Sequence, residues 1–173
     1  MEDLFYTCDK IAPIDYKYVE EALSSTYRKI QNPNIFVSNT RCSFEYSEFF
    51  KKLKRDLNCH RPLYLKWPAN MLYDWHIDGW TRKVSLNIPL VSSDKSLTFF
   101  RTPNEGTFYN LHQVNYSMYL PTILNVKHEH CVINYNIHAG VNITGSNEDR
   151  YVINMSFLVS DYETVLEYFK NLR

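Results

Sequence analysis

From Arg61 onward, apolar and polar positions alternate with a period of two in short runs: "RPLYLKW", "MLYDWHID", "RKVSLNIPL", "SLTFFRT", "GTFYNLHQV", "MYLPTILNV", "HCVINYNIH" and "RYVINMSFLV". Turn-rich pieces such as "WPAN", "SSDK", "TPNEG" and "ITGSNED" separate them. Eight short strands at this spacing predict a double-sheet jelly roll or a related barrel or sandwich. Ahead of them the period is helical. "PIDYKYVEEALSSTYRKI" sets Tyr16, Val19, Leu23 and Ile30 on one stripe, with Asp15 as the N-cap after Pro13. "SEFFKKLKRDL" predicts a second helix, capped by Ser47 and buried through Phe50, Leu53 and Leu57. Its outer face, Lys51, Lys52, Lys54 and Arg55, reads as solvated. The chain closes on "SDYETVLEYFKNLR", where Ser160 and Glu163 have capping-box spacing and Val165, Leu166 and Phe169 can pack back. The expected class is mainly β with flanking helices (α+β), the N-terminal helices packed on one sheet. One domain is expected over 1–173: helical support over 1–60, the β core over 61–159 and a helix over 160–173.

Charge and cysteine usage narrow the function classes. Lys plus Arg and Asp plus Glu are 19 each, so no global field draws the chain to nucleic acid or an acidic membrane. Nucleic acid is therefore a less favoured partner than a small molecule or a protein. The N-terminal "MEDLFYTCDKIAP" has no apolar signal region, and no stretch of about 18 apolar residues occurs. Cys8, Cys42, Cys59 and Cys131 form no C-x-x-C pair and no disulfide ladder, which favours a reducing compartment. A soluble cytoplasmic protein is the expectation; oligomeric state is not fixed by the sequence.

The chemistry concentrates in "DWHIDGW". On a strand, residues two apart face one side, so His76 and Asp78 can present an imidazole nitrogen and a carboxylate to one point. Taken alone, the pair also reads as a strand-end histidine hydrogen-bonded to a neighbouring acid. One further histidine would complete a facial triad, which leaves positions open at a non-heme Fe(II) for a cosubstrate and O2. His138, at the end of "CVINYNIH", is the expected third ligand. His128 and His130, in "HEH", have metal-like spacing but fall in an expected turn, and His60 and His112 have no partners in sequence. Arg150 shares the phase of Val152, Asn154 and Ser156, so a guanidinium and a hydroxyl can floor an anion pocket; an ion pair with Glu148 or Asp149 is its structural alternative. Arg82 has the phase of Val84, Leu86, Ile88 and Leu90, which reads as a charge aimed inward at an anionic partner or as a salt bridge. Tyr64 and Asn136 are further candidate donors to a cosubstrate, or else a packed tyrosine and a strand-end amide. Trp75 and Trp80 flank the site as core or rim.

The ordered set His76-x-Asp78, His138 and Arg150 resembles the 2-oxoglutarate/Fe(II)-dependent oxygenase superfamily. Within it, "WHIDGWTRKVSLNIPL" and "NIHAGVNITGSNEDRYVINMSF" are similar to the aspartyl/asparaginyl β-hydroxylase-like branch. The resemblance spans roughly residues 61–159. It implies a double-stranded β-helix, a cupin-like jelly roll, with Fe(II) on His76, Asp78 and His138. It further implies 2-oxoglutarate as cosubstrate, its far carboxylate on Arg150, with Arg82, Ser156, Tyr64 and Asn136 as further contacts. The implied activity is hydroxylation of a C–H bond by O2, with succinate and CO2 as coproducts, on a protein side chain or an amino-acid-like small molecule. A cupin-like metal or small-acid binder without turnover is the alternative. Two departures stand out. "ITGSNED" lengthens the interval before Arg150, and Asn70 occupies a turn position where many relatives have glycine.

Overall fold

The structure is a computed structural model that describes residues 3–30, 35–78, 82–91, 96–104, 108–137, 143–145, 148–157 and 161–172. A seven-stranded antiparallel sheet runs in the order β1 (Phe5–Thr7), β9 (Thr122–Asn125), β6 (Val84–Val91), β12 (Arg150–Phe157), β4 (Leu63–Trp67), β3 (Phe36–Ser38) and β2 (Tyr27–Lys29). A second sheet runs β11 (Ile143–Gly145), β10 (His130–Ile137), β7 (Ser96–Pro103) and β8 (Tyr109–Gln113), and β5 (Met71–His76) also pairs with β10. All eight expected strands form. Four of them, β4, β6, β9 and β12, go to the large sheet, and β5, β7, β8 and β10 go to the small one. This is a double-stranded β-helix, the jelly roll expected from the sequence.

Alternation along the central strands decides what each face touches. On β12, Ile153, Met155 and Phe157 join Val84, Leu86, Ile88 and Leu90 of β6 in a core completed by helix residues. The opposite face carries Arg150, Asn154 and Ser156 of β12 with Ser85 and Asn87 of β6, which line a cavity between the sheets. One strand pair thus separates an apolar seal from a polar chamber. Paired registers such as Ile153 with Ile88 and Asn154 with Asn87 keep like with like across the two strands.

The helices pack on the apolar face. Helix α2 (Glu48–Leu57) is capped by Ser47, whose Oγ accepts the Phe50 N–H at 3.1 Å, and it buries Phe50, Leu53 and Leu57 as expected. It stops at Asn58, which takes the left-handed conformation with φ 48°. Helix α3 (Tyr162–Lys170) buries Val165, Leu166 and Phe169 as expected, but its cap is Asp161, whose Oδ1 accepts the Thr164 N–H at 2.9 Å. Ser160 lies outside the described residues.

The first helix is shorter than its pattern suggests. Helix α1 covers Lys17–Ser24, and Tyr27–Lys29 is strand β2, paired with β3. Ser24, Ser25 and Thr26 explain the break, because their hydroxyls compete for backbone groups; Ser25 Oγ donates to the Glu21 carbonyl at 2.7 Å. The buried stripe is accordingly Tyr18, Val19 and Ala22, while Tyr16 and Leu23 are exposed. Asp15 does accept the Lys17 N–H at 2.9 Å, although the cap position itself is Tyr16. Strands β1, β2, β3 and β11, three residues each, carry too few residues for a period to register in sequence.

In the turn from β4 to β5, Asn70 has φ 58°, a left-handed conformation that asparagine tolerates better than most residues with a Cβ. It can thus stand at a turn position that otherwise suits glycine. The four cysteines are free and buried. Among the described residues, no helix is long and apolar enough to cross a membrane.

Two substitutions test the helical register. Leu53 is fully buried and Leu23 is half exposed. Leu53→Ala is expected to cost about 2–5 kcal/mol, and Leu23→Ala less than about 0.5 kcal/mol, measured by urea unfolding.

Candidate metal centre

β5 and β10 run antiparallel with His76 opposite His130, and Asp78 follows two residues beyond the end of β5. The two imidazole rings lie 4.2 Å apart, centroid to centroid. His76 Nε2 is 3.7 Å from Asp78 Oδ1. His76, Asp78 and His130 each offer one ligand atom, all within 4.8 Å of one another. Spacing of that order suits three ligands around one ion.

Each imidazole is oriented from behind. His76 Nδ1 lies 2.7 Å from the Asp74 carbonyl, and His130 Nδ1 lies 2.9 Å from the His128 carbonyl. A carbonyl oxygen only accepts, so both Nδ1 atoms carry the proton and both Nε2 atoms offer a lone pair to the centre. Burial holds both histidines below the usual imidazole pKa, and for His130 the neighbouring His76 adds to the effect. Both rings are thus kept neutral, the state a metal requires.

His130 is a finding the sequence pattern concealed. "HEH" reads as a turn, although the expected strand "HCVINYNIH" already begins at its second histidine; that residue opens β10 and pairs across to His76. The sequence placed His130 at a strand start but gave no signal that this strand pairs with the one carrying His76. His138 lies outside the described residues.

Among the described residues, Arg150 is the largest fully buried side chain, only 1% exposed. Its guanidinium lies between the rings of Trp67 and Tyr116, at 5.3 and 4.7 Å, and Nη1 donates to Thr98 Oγ1 at 3.3 Å. The ion pairs among the described residues do not include it, and its Nε has no hydrogen-bond partner. Its sequence neighbour Asp149 is spent elsewhere, on Lys66 at 2.6 Å and on the Ala69 N–H at 2.9 Å. A buried guanidinium without a counter-charge is costly and calls for an anion.

The other expected site residues separate into two groups. Ser156 lines the same cavity as Arg150 and the three metal-ligand candidates, and so does Arg82. Arg82 departs from its expected phase. β6 begins at Val84, so Arg82 precedes the alternation and turns toward the cavity, where its Nε is 3.2 Å from Asp78 Oδ2. Tyr64 goes the other way, fully buried among the helix-side core residues and off the cavity wall. Asn136 is on β10, in register with Thr144, and its side chain lies outside what is described. Trp75 stacks on Arg101 at 4.7 Å, and Trp80 lies outside the described residues.

The cavity holds about 270 Å³. Its polar floor comes from β6 and β12. The wall toward β3 and β4 is apolar, built from Ile35, Val37, Leu63, Leu65 and Tyr73. Tyr73 joins this wall to the histidines, its ring 3.8 Å from that of His76.

Comparison with known proteins agrees on the fold. No family model and no curated protein matches the chain. Among solved structures, it is similar to a prolyl-4-hydroxylase from Pseudomonas putida, with a TM-score of 0.57 at 10% identity over 89% of this chain and 91% of that one. A 2OG-Fe(II) oxygenase family oxidoreductase from Burkholderia pseudomallei gives 0.52 at 12% identity, over 82% and 76%. HygX from Streptomyces hygroscopicus, solved with nickel and 2-oxoglutarate bound, gives 0.51 at 12% identity, over 91% and 84%. At these identities the likeness is one of fold.

The neutral histidines set a pH dependence for the metal-free protein. Their pKa values are lower in the folded than in the unfolded chain, so the unfolded state binds more protons and stability rises with pH across the interval. The contribution is complete above the unfolded value of about 6.5 and is lost as pH falls below it. Urea unfolding of the metal-free protein at pH 7.5 and pH 5 is expected to show that loss, and His130→Gln to flatten the slope between them.

Proposed function

We propose that the chain is an Fe(II)- and 2-oxoglutarate-dependent oxygenase in which His76, Asp78 and His130 hold the metal and Arg150 anchors the far carboxylate of 2-oxoglutarate. The observation that carries this reading is Arg150. A buried guanidinium with no acidic partner among the described ion pairs opens into the same chamber as two histidines and a carboxylate. A metal-binding jelly roll without turnover has no need of such a charge. That a fold neighbour holds nickel and 2-oxoglutarate together adds support. In this reading the third ligand is His130, the histidine set opposite His76, in place of the strand-end His138, which lies outside the described residues.

The residues fit the group they would hold. Two neutral imidazoles and one carboxylate on one side of the cavity would hold Fe(II) and leave it open toward the interior. When bound, iron with 2-oxoglutarate and O2 supplies the oxidation of a C–H bond, with succinate and CO2 as coproducts. The protein contributes orientation and a dry chamber. The carbonyls of Asp74 and His128 keep both Nε2 atoms directed at the ion. Arg150, flanked by Trp67 and Tyr116, can grip a carboxylate with the guanidinium edge its Thr98 bond leaves open. Ser156 is a further polar contact on the same floor.

The prime substrate in this reading is a protein side chain or an amino-acid-like small molecule, and its reacting group lies against the Ile35, Val37, Leu63 and Tyr73 wall. That wall offers hydrophobic contact and no charge, which favours an apolar C–H group beside the metal. A chamber of about 270 Å³ that also holds the cosubstrate admits only a small part of a substrate.

The test is anaerobic addition of Fe(II) and then 2-oxoglutarate, read by the visible metal-to-ligand charge-transfer band of a chelated keto acid. The wild-type chain and His138→Ala are expected to give the band, and His130→Ala and His76→Ala to lack it. Loss of the band in His138→Ala with retention in His130→Ala reverses the ligand assignment. Metal uptake without any band moves the chain to a cupin-like binder. Arg150→Met is expected to weaken 2-oxoglutarate by at least about 30-fold, since removing one partner of a buried charge pair costs about 2 kcal/mol or more.

A further inference from the structure

We infer that Asn154 is a positioning residue for the metal site, acting through Arg82 on the outer oxygen of Asp78. The inference rests on the metal reading above. Asp78 presents its two oxygens to different partners: Oδ1 to His76 at 3.7 Å, and Oδ2 to Arg82 Nε at 3.2 Å. The Arg82 contact is an ion pair and not an aligned hydrogen bond, since Nε has no hydrogen-bond partner; a carboxylate whose outer oxygen is drawn to that charge would coordinate through its other atom. Were the outer oxygen free, the group could rotate and chelate, taking a position that the keto acid needs.

Arg82 cannot hold that position alone, because it precedes β6 and is not part of a strand. Its Nη2 donates to Asn154 Oδ1 and to Ser85 Oγ, both at 3.0 Å. Asn154, in the middle of β12, is nearly fully buried. Its amide orientation is unambiguous: a guanidinium only donates, so Oδ1 must face Arg82, and Nδ2 must face the other way. There Nδ2 donates to Ser85 Oγ at 2.8 Å and to Asn87 Oδ1 at 2.7 Å.

The chain of bonds continues beyond Asn87. Asn87 Nδ2 donates to Tyr116 Oη at 3.3 Å, Tyr116 Oη to Thr98 Oγ1 at 3.4 Å, and Thr98 Oγ1 accepts from Arg150 Nη1 at 3.3 Å. A polar line thus crosses the chamber floor from the Asp78 carboxylate to the Arg150 guanidinium. Buried asparagines in the two central strands do not help an apolar core, and the near-isosteric change Asn154→Leu would strand the partners that Asn154 now satisfies. Their placement is accounted for if Asn154 is the fixed point that sets Arg82.

The experiment is a double-substitution cycle on metal affinity, with Co(II) as probe, titrated by its d–d absorption. Substitution of groups that orient a ligand costs on the order of 10- to 100-fold in metal affinity, and Arg82→Met and Asn154→Ala are each expected to fall in that range. In the Arg82→Met background, Asn154→Ala is expected to cost no more, and Arg82→Lys, which keeps the cation without the fork, to recover part of the loss. An unchanged affinity in Asn154→Ala, or losses that add in full, overturns the inference. So does a loss of affinity that follows a falling thermal midpoint of the metal-free variant. If Asn154→Ala does not fold, Asn87→Ala removes the far support of the same amide. A loss that vanishes in the Arg82→Met background is then expected, and unchanged affinity overturns the idea. A wild-type chain that takes up no Co(II) overturns the metal reading itself, whereas normal uptake with unaffected variants overturns only the role of Asn154.

Discussion

The constraint on which this structure depends is the division of β6 and β12 into one apolar and one polar face. These two strands occupy the middle of the large sheet and pair along most of their length. Val84, Leu86 and Ile88 with Ile153, Met155 and Phe157 bury completely against the helices. That seal lets the reverse face carry Ser85, Asn87, Asn154 and Arg150 at low exposure, because the hydrophobic burial which holds the sheet in place is supplied on the other side. A slip of one residue in either strand would exchange the two faces and destroy core and chamber together.

The second sheet closes the chamber, and its pairing decides the chemistry. β10 meets β5 antiparallel, which sets His130 opposite His76 at one end of the cavity. The same strand pairs with β7, bringing Thr98 opposite Val132 and within reach of Arg150. The metal-ligand candidates and the buried Arg150 therefore come from opposite sheets. Each histidine is fixed by a backbone carbonyl two residues before it, so its orientation follows from strand geometry and needs no further side chain.

Charge in the chamber is arranged unevenly. Among the described residues, Arg82 has Asp78 as its counter-charge, whereas Arg150 has aromatic rings and a hydroxyl. Rings soften the burial of a guanidinium but do not neutralise it. That difference is the ground on which the proposed reading gives Arg150 an anionic ligand.

Much of this was legible in the chain itself. Period-two alternation over eight runs determined the strands and the jelly-roll class, since each run is long enough for its face pattern to register. The same alternation on "RYVINMSF" put Arg150, Asn154 and Ser156 together, and the H-x-D spacing put His76 beside Asp78. What only the tertiary structure decided depends on pairing between distant segments. The meeting of His130 with His76 follows from the antiparallel register of β5 with β10, which no local pattern reports. Arg82 left its apparent phase because the strand starts two residues later, and Tyr64 faced the helices because β4 presents its neighbours Leu63 and Leu65 to the chamber. Residue type and period fix which faces exist. Register between strands fixes which residues meet, because the hydrogen-bond ladder, and not the local sequence, sets what lies opposite.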